Sequence, residues 1–353
     1  MQVARMPRYT SPMPDAEKIE QRHGRIPKRI LLTGAAGYIG SHTAAHLVEA
    51  GCHVVALDDL SAGNRRAVPR AAEFVRGDAA DRELVSRLIK EHRIEAALHF
   101  AARVVVSESV ENPGAYYRAN ALASLELMEA CIAGGVGMFV FSSSAAVYGA
   151  PRETPVGEDA ECAPVNPYGA SKLMSEWMLR DLAAAEPRFR FVALRYFNAA
   201  GARLDGSLGQ ESPRATHLVK VACEAACGRR DGLSIFGDDY PTPDGTCVRD
   251  YIHVEDLARA HAGALAHLAG GGESAALNCG YGRGSSVREV IACVKKVSGV
   301  DFPVRIAPRR AGDPPELVAD NARIRALGWQ PRHDDLEVIC RSAYQWERSL
   351  PRT

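Results

Sequence analysis

No sign of charge dominates this sequence. Its 43 Lys and Arg residues balance 43 Asp and Glu residues, so no global field draws the chain to nucleic acid or to an anionic membrane surface. No apolar run approaches the roughly 20 residues that a membrane-crossing helix requires, and residues 1–28 lack the apolar block of a secretory signal. These absences predict a soluble protein with neither nucleic acid nor membrane as partner. The nine cysteines include no CxxC pair, and Cys223 and Cys227 are spaced as helix neighbours rather than as a zinc knuckle. Thiols used in this way predict a reducing, cytoplasmic compartment. No internal repeat or low-complexity segment is present, so 353 residues imply about two ordinary domains around a large core.

Residues 1–28 are polar, rich in Arg and broken by Pro7, Pro12, Pro14 and Pro27, which predicts a loose extension. From Arg29 onward, short runs of branched apolar residues alternate with longer runs of helical period. Strands are expected at 29–32, 53–57, 74–76, 96–100, 138–142 and 191–194, and helices at 42–50, 81–92, 116–133 and 168–185. Strands apolar on both faces imply a buried parallel sheet covered by helices on both sides, a doubly wound α/β domain spanning residues 29–199. After Phe197 the rhythm changes, with Gly, Pro and Asp frequent in 200–213 and 237–245. A smaller C-terminal α/β substrate domain is expected over 200–353, with segments near 248–268 packing back on the first. Capping-box spacing at Ser286/Glu289 and Asp334/Glu337 marks two later helix starts.

Thr33 to Gly40 joins the first strand to the first helix. Gly34, Gly37 and Gly40 permit a tight turn, close approach of backbone to a pyrophosphate and close helix–sheet packing, leaving free N–H groups to receive the anion beside Tyr38 and Ile39. The spacing is GxxGxxG rather than GxGxxG, a weak signal alone. The next strand ends at Asp58, where a carboxylate accepts both hydroxyls of an adenosine ribose and repels a 2′-phosphate, which favours NAD over NADP; Asp59 strengthens that bias. Asp78 and Ala79 after the third strand, and Phe100, Ala101 and Ala102 after the fourth, stand where a dinucleotide crosses the carboxyl ends of the strands.

The most informative segment runs from Asn166 to Lys172. Asn166 suits an N-cap and Pro167 a first helical position, which puts Tyr168 in the first turn and Lys172 on the same face four residues on. A free phenol titrates near 10 and is a poor base at neutral pH. A neighbouring ammonium, a cationic nicotinamide and the positive helix end all favour the phenolate and are expected to draw its pKa down. Ser142, Ser143 and Ser144 leave a strand at the same sheet edge and offer hydroxyls to a reacting sugar oxygen.

Glycine loop, acid, serine run and YxxxK occur in the order of a short-chain dehydrogenase. With the segments TGAAGYIGSHT, HFAA, ESVENPGAYYRAN, FSSSAAVYG, NPYGASK, LRYFNAAGA, IFGDDYPTPDGTCVRDYIHVEDLA and APRRAGD, the chain from about Arg29 to about Trp346 resembles the UDP-glucose 4-epimerase family of the extended short-chain dehydrogenase/reductase superfamily. The resemblance implies a Rossmann-like first domain and an isomerase that epimerises a UDP-hexose through a 4-keto sugar with NAD as cofactor. It implies Tyr168 as the base, with or without Ser144 as intermediary, and Lys172 on the nicotinamide ribose. It also implies Arg103, Asn120, Ser142 and Tyr196 around the cofactor, and Asn198, His217, Leu218, Arg249, Tyr251, Arg310 and Asp313 around the UDP-sugar. A homodimer built on helices 116–133 and 168–185 follows from the same likeness.

Three departures stand out. Arg103 replaces a more usual Lys, 104–107 replaces a run of smaller residues, and Leu317 occupies a position where Tyr closes and Ser or Cys opens the pocket to N-acetylated sugars. Leu leaves that choice open, as it leaves UDP-xylose and UDP-glucuronate. A 4,6-dehydratase needs an Asp-Glu pair where Ala145 and Ala146 stand, and a non-enzymatic NAD-binding scaffold does not need the Tyr168–Lys172 pair kept here. His42 and His46 have metal-ligand spacing on a helix but read as packing, so no metal site is expected; Phe139 and Phe141 read as core.

Overall fold

A computed structural model describes residues 26–211, 216–310 and 312–351. The extension expected over residues 1–28 therefore lies almost wholly outside the described residues. Seven parallel strands form the central sheet: β1 (Arg29–Thr33), β2 (His53–Asp58), β3 (Glu73–Arg76), β4 (Ala96–His99), β5 (Met138–Ser142), β6 (Arg190–Tyr196) and, far along the chain, β11 (Ala275–Cys279). Their spatial order is β3-β2-β1-β4-β5-β6-β11, so the direction of winding reverses between β1 and β4. That reversal opens a crevice at the carboxyl ends of the strands, where ligands of doubly wound sheets bind.

Alternation along the strands explains the two-sided core. Ile30, Leu32, Val54, Ala56, Leu98, Val140 and Val192 face one buried cluster, shared with Ala44 and Leu47 of α1 (Tyr38–Glu49). Leu31, Val55, Leu57, Ala97, Phe139 and Phe141 face the other, shared with Val85 and Leu88 of α2 (Arg82–His92), Leu127 of α3 (Ala123–Ala133) and Leu179 of α4 (Pro167–Ala185). The segment expected as one helix over 116–133 begins with a turn of π-helix at Tyr117–Leu122 before α3 takes over. The first helix starts at Tyr38, four residues earlier than its apolar period suggests, because Gly37 ends the phosphate loop as its N-cap.

Beyond Ala200 the chain builds short sheets. β7 (Asn198–Ala200) pairs with β10 (Tyr251–His253), β8 (Leu233–Phe236) with β13 (Val304–Ala307), and β9 (Val248–Arg249) lies between β12 (Ser285–Ser286) and β14 (Glu316–Leu317). Helix α6 (Val254–Ala269) returns to the main sheet and packs on the same side as α1, after α5 (Leu218–Ala226), and β11 then pairs with β6. The second half of the chain thus contributes both a helix and an edge strand to the first sheet. Ser286 and Glu289 form a reciprocal capping box at the start of α7 (Val287–Ser298). The other expected box is displaced: Asp335, not Asp334, caps α8 (Leu336–Ser349), accepting from Glu337 N at 2.7 Å. The Glu337 carboxylate pairs with Lys296 and Arg341, so it does not reach back to the cap.

Candidate active site

The phosphate loop has the geometry its glycines require. Gly34 has φ +71°, and a Cβ there would lie 2.5 Å from Ala101 N; a Cβ on Gly40 would lie 2.1 Å from Gly34 O. Only glycine lets the loop touch the end of β4 and lets α1 press against its own turn. Ser41 N donates to Gly37 O at 3.0 Å, so Tyr38, Ile39 and Gly40 supply the first-turn N–H groups that a helix leaves for an anion. The Tyr38 phenol is committed elsewhere, donating to Gly201 O at 2.6 Å, which leaves its backbone as the part that faces a phosphate.

Asp58 is buried, and its carboxylate accepts from Ala36 N at 2.8 Å and Leu60 N at 2.8 Å. Burial pushes its pKa up while these bonds pull it down. Each oxygen keeps acceptor capacity for a ribose hydroxyl. Asp59 and Asp78 are exposed and cap their own turns, bonding Ser61 N and Ala80 N, while Ala79 is buried beneath. A stretch the sequence reading passed over completes this end. Leu60 has φ +63°, Asn64 N donates to Ala36 O at 3.0 Å, and a Cβ on Gly63 would meet Ala36 at 2.7 Å. The Gly63-Asn64 pair was the available turn signal. Between this loop and the phosphate loop runs a groove of about 410 Å³, reaching Gly209 and Glu211. The cradle and groove fit a dinucleotide.

After β4, Phe100 N donates to Thr33 O at 3.0 Å, and its ring lies 4.6 Å from that of His261. Ala101 and Ala102 follow, half-buried, and Arg103 reaches outward to Glu108 at 3.3 Å. Asn120 is fully buried and clamps this loop: its Oδ1 accepts from Arg103 N at 2.8 Å, and its Nδ2 donates to Arg103 O and Ser171 Oγ, both at 3.0 Å. The π turn carries Asn120, and its backbone carbonyl accepts from both Ser124 and Ser175.

Asn166 caps α4 by accepting from Gly169 N at 2.9 Å, with Pro167 in the first turn as expected. Tyr168 and Lys172 are buried, and the Tyr168 phenol hydrogen-bonds the Ser144 hydroxyl. Burial raises the phenol pKa, and the Ser144 bond is what opposes the rise. Lys172 Nζ is turned to Ser142 O at 2.8 Å, over the Phe141 ring at 4.8 Å, and burial brings it down to about 7. Ser142 Oγ donates to the Tyr196 phenol at 2.9 Å, and the Tyr168 and Tyr196 phenols lie close enough to raise Tyr196 further. Beneath the serines lies a pair that sequence spacing did not reveal. Arg195 and Glu176, both buried, meet at 2.6 Å, with Ser143 Oγ on Glu176 and Tyr148 OH on Arg195.

Short strands bring together several of the residues expected around the UDP-sugar. Asn198 pairs with Tyr251 across β7–β10, and Arg249 pairs with Leu317 across β9–β14. Arg249 also reaches Asp313 at 3.5 Å. Asp250, between Arg249 and Tyr251, went unremarked in the sequence. It is fully buried, accepts from Tyr281 N, Gly282 N and Ala319 N, and is pushed up to about 6 by burial. Leu317 packs in a small cluster with Ala145, Val147, Leu173 and Phe197. Arg310 is stacked on Phe236 at 3.8 Å, and its carbonyl accepts from Asp313 N at 3.4 Å. His217 precedes Leu218 at the start of α5 and accepts from Gln210 Nε2 at 2.8 Å.

The sequence pattern of the NAD dependent epimerase/dehydratase family matches residues 30–280. This chain belongs to that family. It is 58% identical over 323 residues to the UDP-glucose 4-epimerase of Azospirillum brasilense, spanning 91% of this chain and 92% of that one. The structure of UDP-glucose 4-epimerase from Brucella ovis in complex with NAD superimposes with a TM-score of 0.88 at 46% identity, covering 91% of this chain and 98% of that one. The UDP-Glc/GlcNAc 4-epimerase of Campylobacter jejuni gives 0.80 at 50% identity, covering 92% and 100%.

Proposed function

We propose that this chain interconverts UDP-glucose and UDP-galactose by NAD-dependent epimerisation at the sugar C4. The observation that carries the reading is the buried Tyr168–Ser144 pair at the carboxyl end of β5, with Lys172 on the same helix face and a groove of about 410 Å³ running along the glycine loop that follows β1. NAD, when bound, supplies the acceptor and then the donor of the hydrogen at C4. Tyr38, Ile39 and Gly40 would hold its pyrophosphate through first-turn backbone N–H groups, with Gly34 and Gly37, whose own N–H groups bond Leu57 O and Gly34 O, shaping the turn, and Asp58 would take the adenosine ribose. Tyr168 takes the proton of the sugar 4-hydroxyl as the C4 hydrogen leaves, and returns it to the same oxygen once the 4-keto sugar has turned over and C4 has regained its hydrogen on the opposite face. Ser144, already bonded to that phenol, aligns the hydroxyl. Arg249 and Arg310 suit the UDP diphosphate because a guanidinium offers it paired donors.

Leu122, Met174 and Trp177, exposed on Tyr117–Leu122 and α4, support a homodimer across these helices, with light scattering at half the expected mass as the contrary result. The nine free cysteines support a reducing, cytoplasmic setting. The functional test incubates purified protein with single UDP-sugars, without added cofactor, and separates the products. UDP-galactose should appear from UDP-glucose, and acid release should free NAD. Inert UDP-glucose in NAD-loaded protein would overturn the reading.

A further inference from the structure

Two groups of metal-ligating side chains occur among the described residues outside the site above. His253, Glu255 and His333 bring one ligand atom each within 4.8 Å of the others. Both His253 nitrogens are engaged there, Nδ1 by Glu255 N and Nε2 by Ser342 Oγ, each at 3.2 Å, and Arg259 adds a cation nearby. That group is a hydrogen-bonded part of the fold.

The second group differs on each point. His53 opens β2, Glu73 opens β3, and His92 ends α2. Glu73 Oε2 lies 3.5 Å from His53 Nε2 and 3.5 Å from His92 Nδ1. All three ligand atoms lie within 4.8 Å of one another, and the imidazole rings are 5.7 Å apart with a 31° tilt. Around a tetrahedral zinc ion with bonds of about 2.1 Å, adjacent donor atoms are separated by about 3.4 Å. Two edges of the ligand triangle already have that length. The third closes by side-chain rotation, for which His53 and Glu73 have room at 46% and 47% exposure.

The donor set also discriminates. Two imidazoles and one carboxylate suit borderline transition ions, whereas calcium and magnesium seek oxygen alone. An ordinary ion pair needs only one histidine on the acid and contributes little at a surface; here two aromatic nitrogens converge on a single carboxylate oxygen from separate elements. The register that sets Val55 opposite Glu73 brings the triad together, so it was invisible to spacing rules, which found only His42 and His46. It lies at the amino ends of β2 and β3, the far side of the sheet from Ser142–Ser144, and β3 is an edge strand.

We propose that His53, Glu73 and His92 form a surface site for one zinc-class divalent ion that clamps the end of α2 to the β2–β3 edge. Its fourth position is open to water or to a donor from another molecule. The test uses full-length, tag-free protein stripped with chelator, then titrated with zinc sulfate by calorimetry and with cobalt(II) by visible absorption. One ion per chain should bind below about 10 µM, raising the thermal midpoint and leaving epimerase turnover unchanged. Cobalt should give the intense visible bands of a tetrahedral site. His53→Ala/His92→Ala should weaken zinc at least tenfold and abolish the bands, Glu73→Gln should weaken it less, and His333→Ala should leave it unchanged. Full-strength binding in the double variant, which the free thiols would give if they were the ligands, overturns the proposal, as does loss in His333→Ala or no saturable binding below millimolar zinc.

Discussion

Tyr168 has one bond that matters to its chemistry, the one to Ser144, and a burial that works against ionisation. Tyr168→Phe keeps the ring and its packing and removes the titrating group, so kcat should fall at least about 100-fold while UDP-sugar binding by calorimetry is retained. Ser144→Ala should lower kcat less and move the rising limb of the pH–rate profile, where the base loses its proton, to higher pH, because the Ser144 bond holds the phenol pKa down. An unmoved profile would separate the serine from the base. On the proposed function Leu317 bears on substrate choice: it is apolar, nearly buried and shares a cluster with Ala145, the neighbour of Ser144. An acetamido group entering there leaves polar atoms unpaired at about 1–3 kcal/mol, so UDP-glucose should be preferred to UDP-N-acetylglucosamine by roughly 10- to 100-fold in kcat/KM. Leu317→Ser should narrow that ratio, and equal use of both sugars by the natural chain would place selection elsewhere.

Among the elements, the π turn at Tyr117–Leu122 does the least obvious work. It carries Asn120 into the core, where the side chain holds Arg103 by both its backbone groups and ties the loop to Ser171 of α4. Asn120→Ala should strand those groups at about 1–3 kcal/mol and weaken NAD retention on dialysis. Asn120→Asp, which keeps only the acceptor for Arg103 N, should fall between. Apolar period and turn residues were enough to locate the six strands from β1 to β6, and Asn166 and Pro167 announced α4 by their capping chemistry. They could not announce β11, because Ala275–Cys279 becomes a sheet strand only by pairing with β6. Nor could they show Arg195 reaching Glu176, or Arg249 opposite Leu317, which depend on register between distant segments. Asp334 misled for a local reason: an adjacent aspartate makes the same cap one residue on.

The whole molecule carries an acid liability. His42, His99 and His261 are buried, and burial lowers them to about 4, about 3 and about 4. In the unfolded chain each takes a proton near 6.5. The unfolded state therefore binds more protons between that value and the folded ones, and stability falls as pH drops through this window. The urea midpoint should decline as pH drops from about 6.5 toward 4, the decline being smaller in His99→Gln. That substitution keeps a polar group between Thr33 Oγ1 and Ser124 Oγ, which now bracket the ring at 2.7 and 2.8 Å, without a group that titrates.

The return of β11 to the first sheet bears on how the protein is made. Until the ribosome has passed Cys279, β6 has no partner on its outer side, and its backbone is a bare edge able to recruit a strand from another chain. The phosphate loop, Tyr168 and Lys172 have all been synthesised by then, yet the sheet that carries them is unsealed. A fragment ending near Ala200 should consequently aggregate, and the second half of this enzyme serves the first as the lid on its own edge.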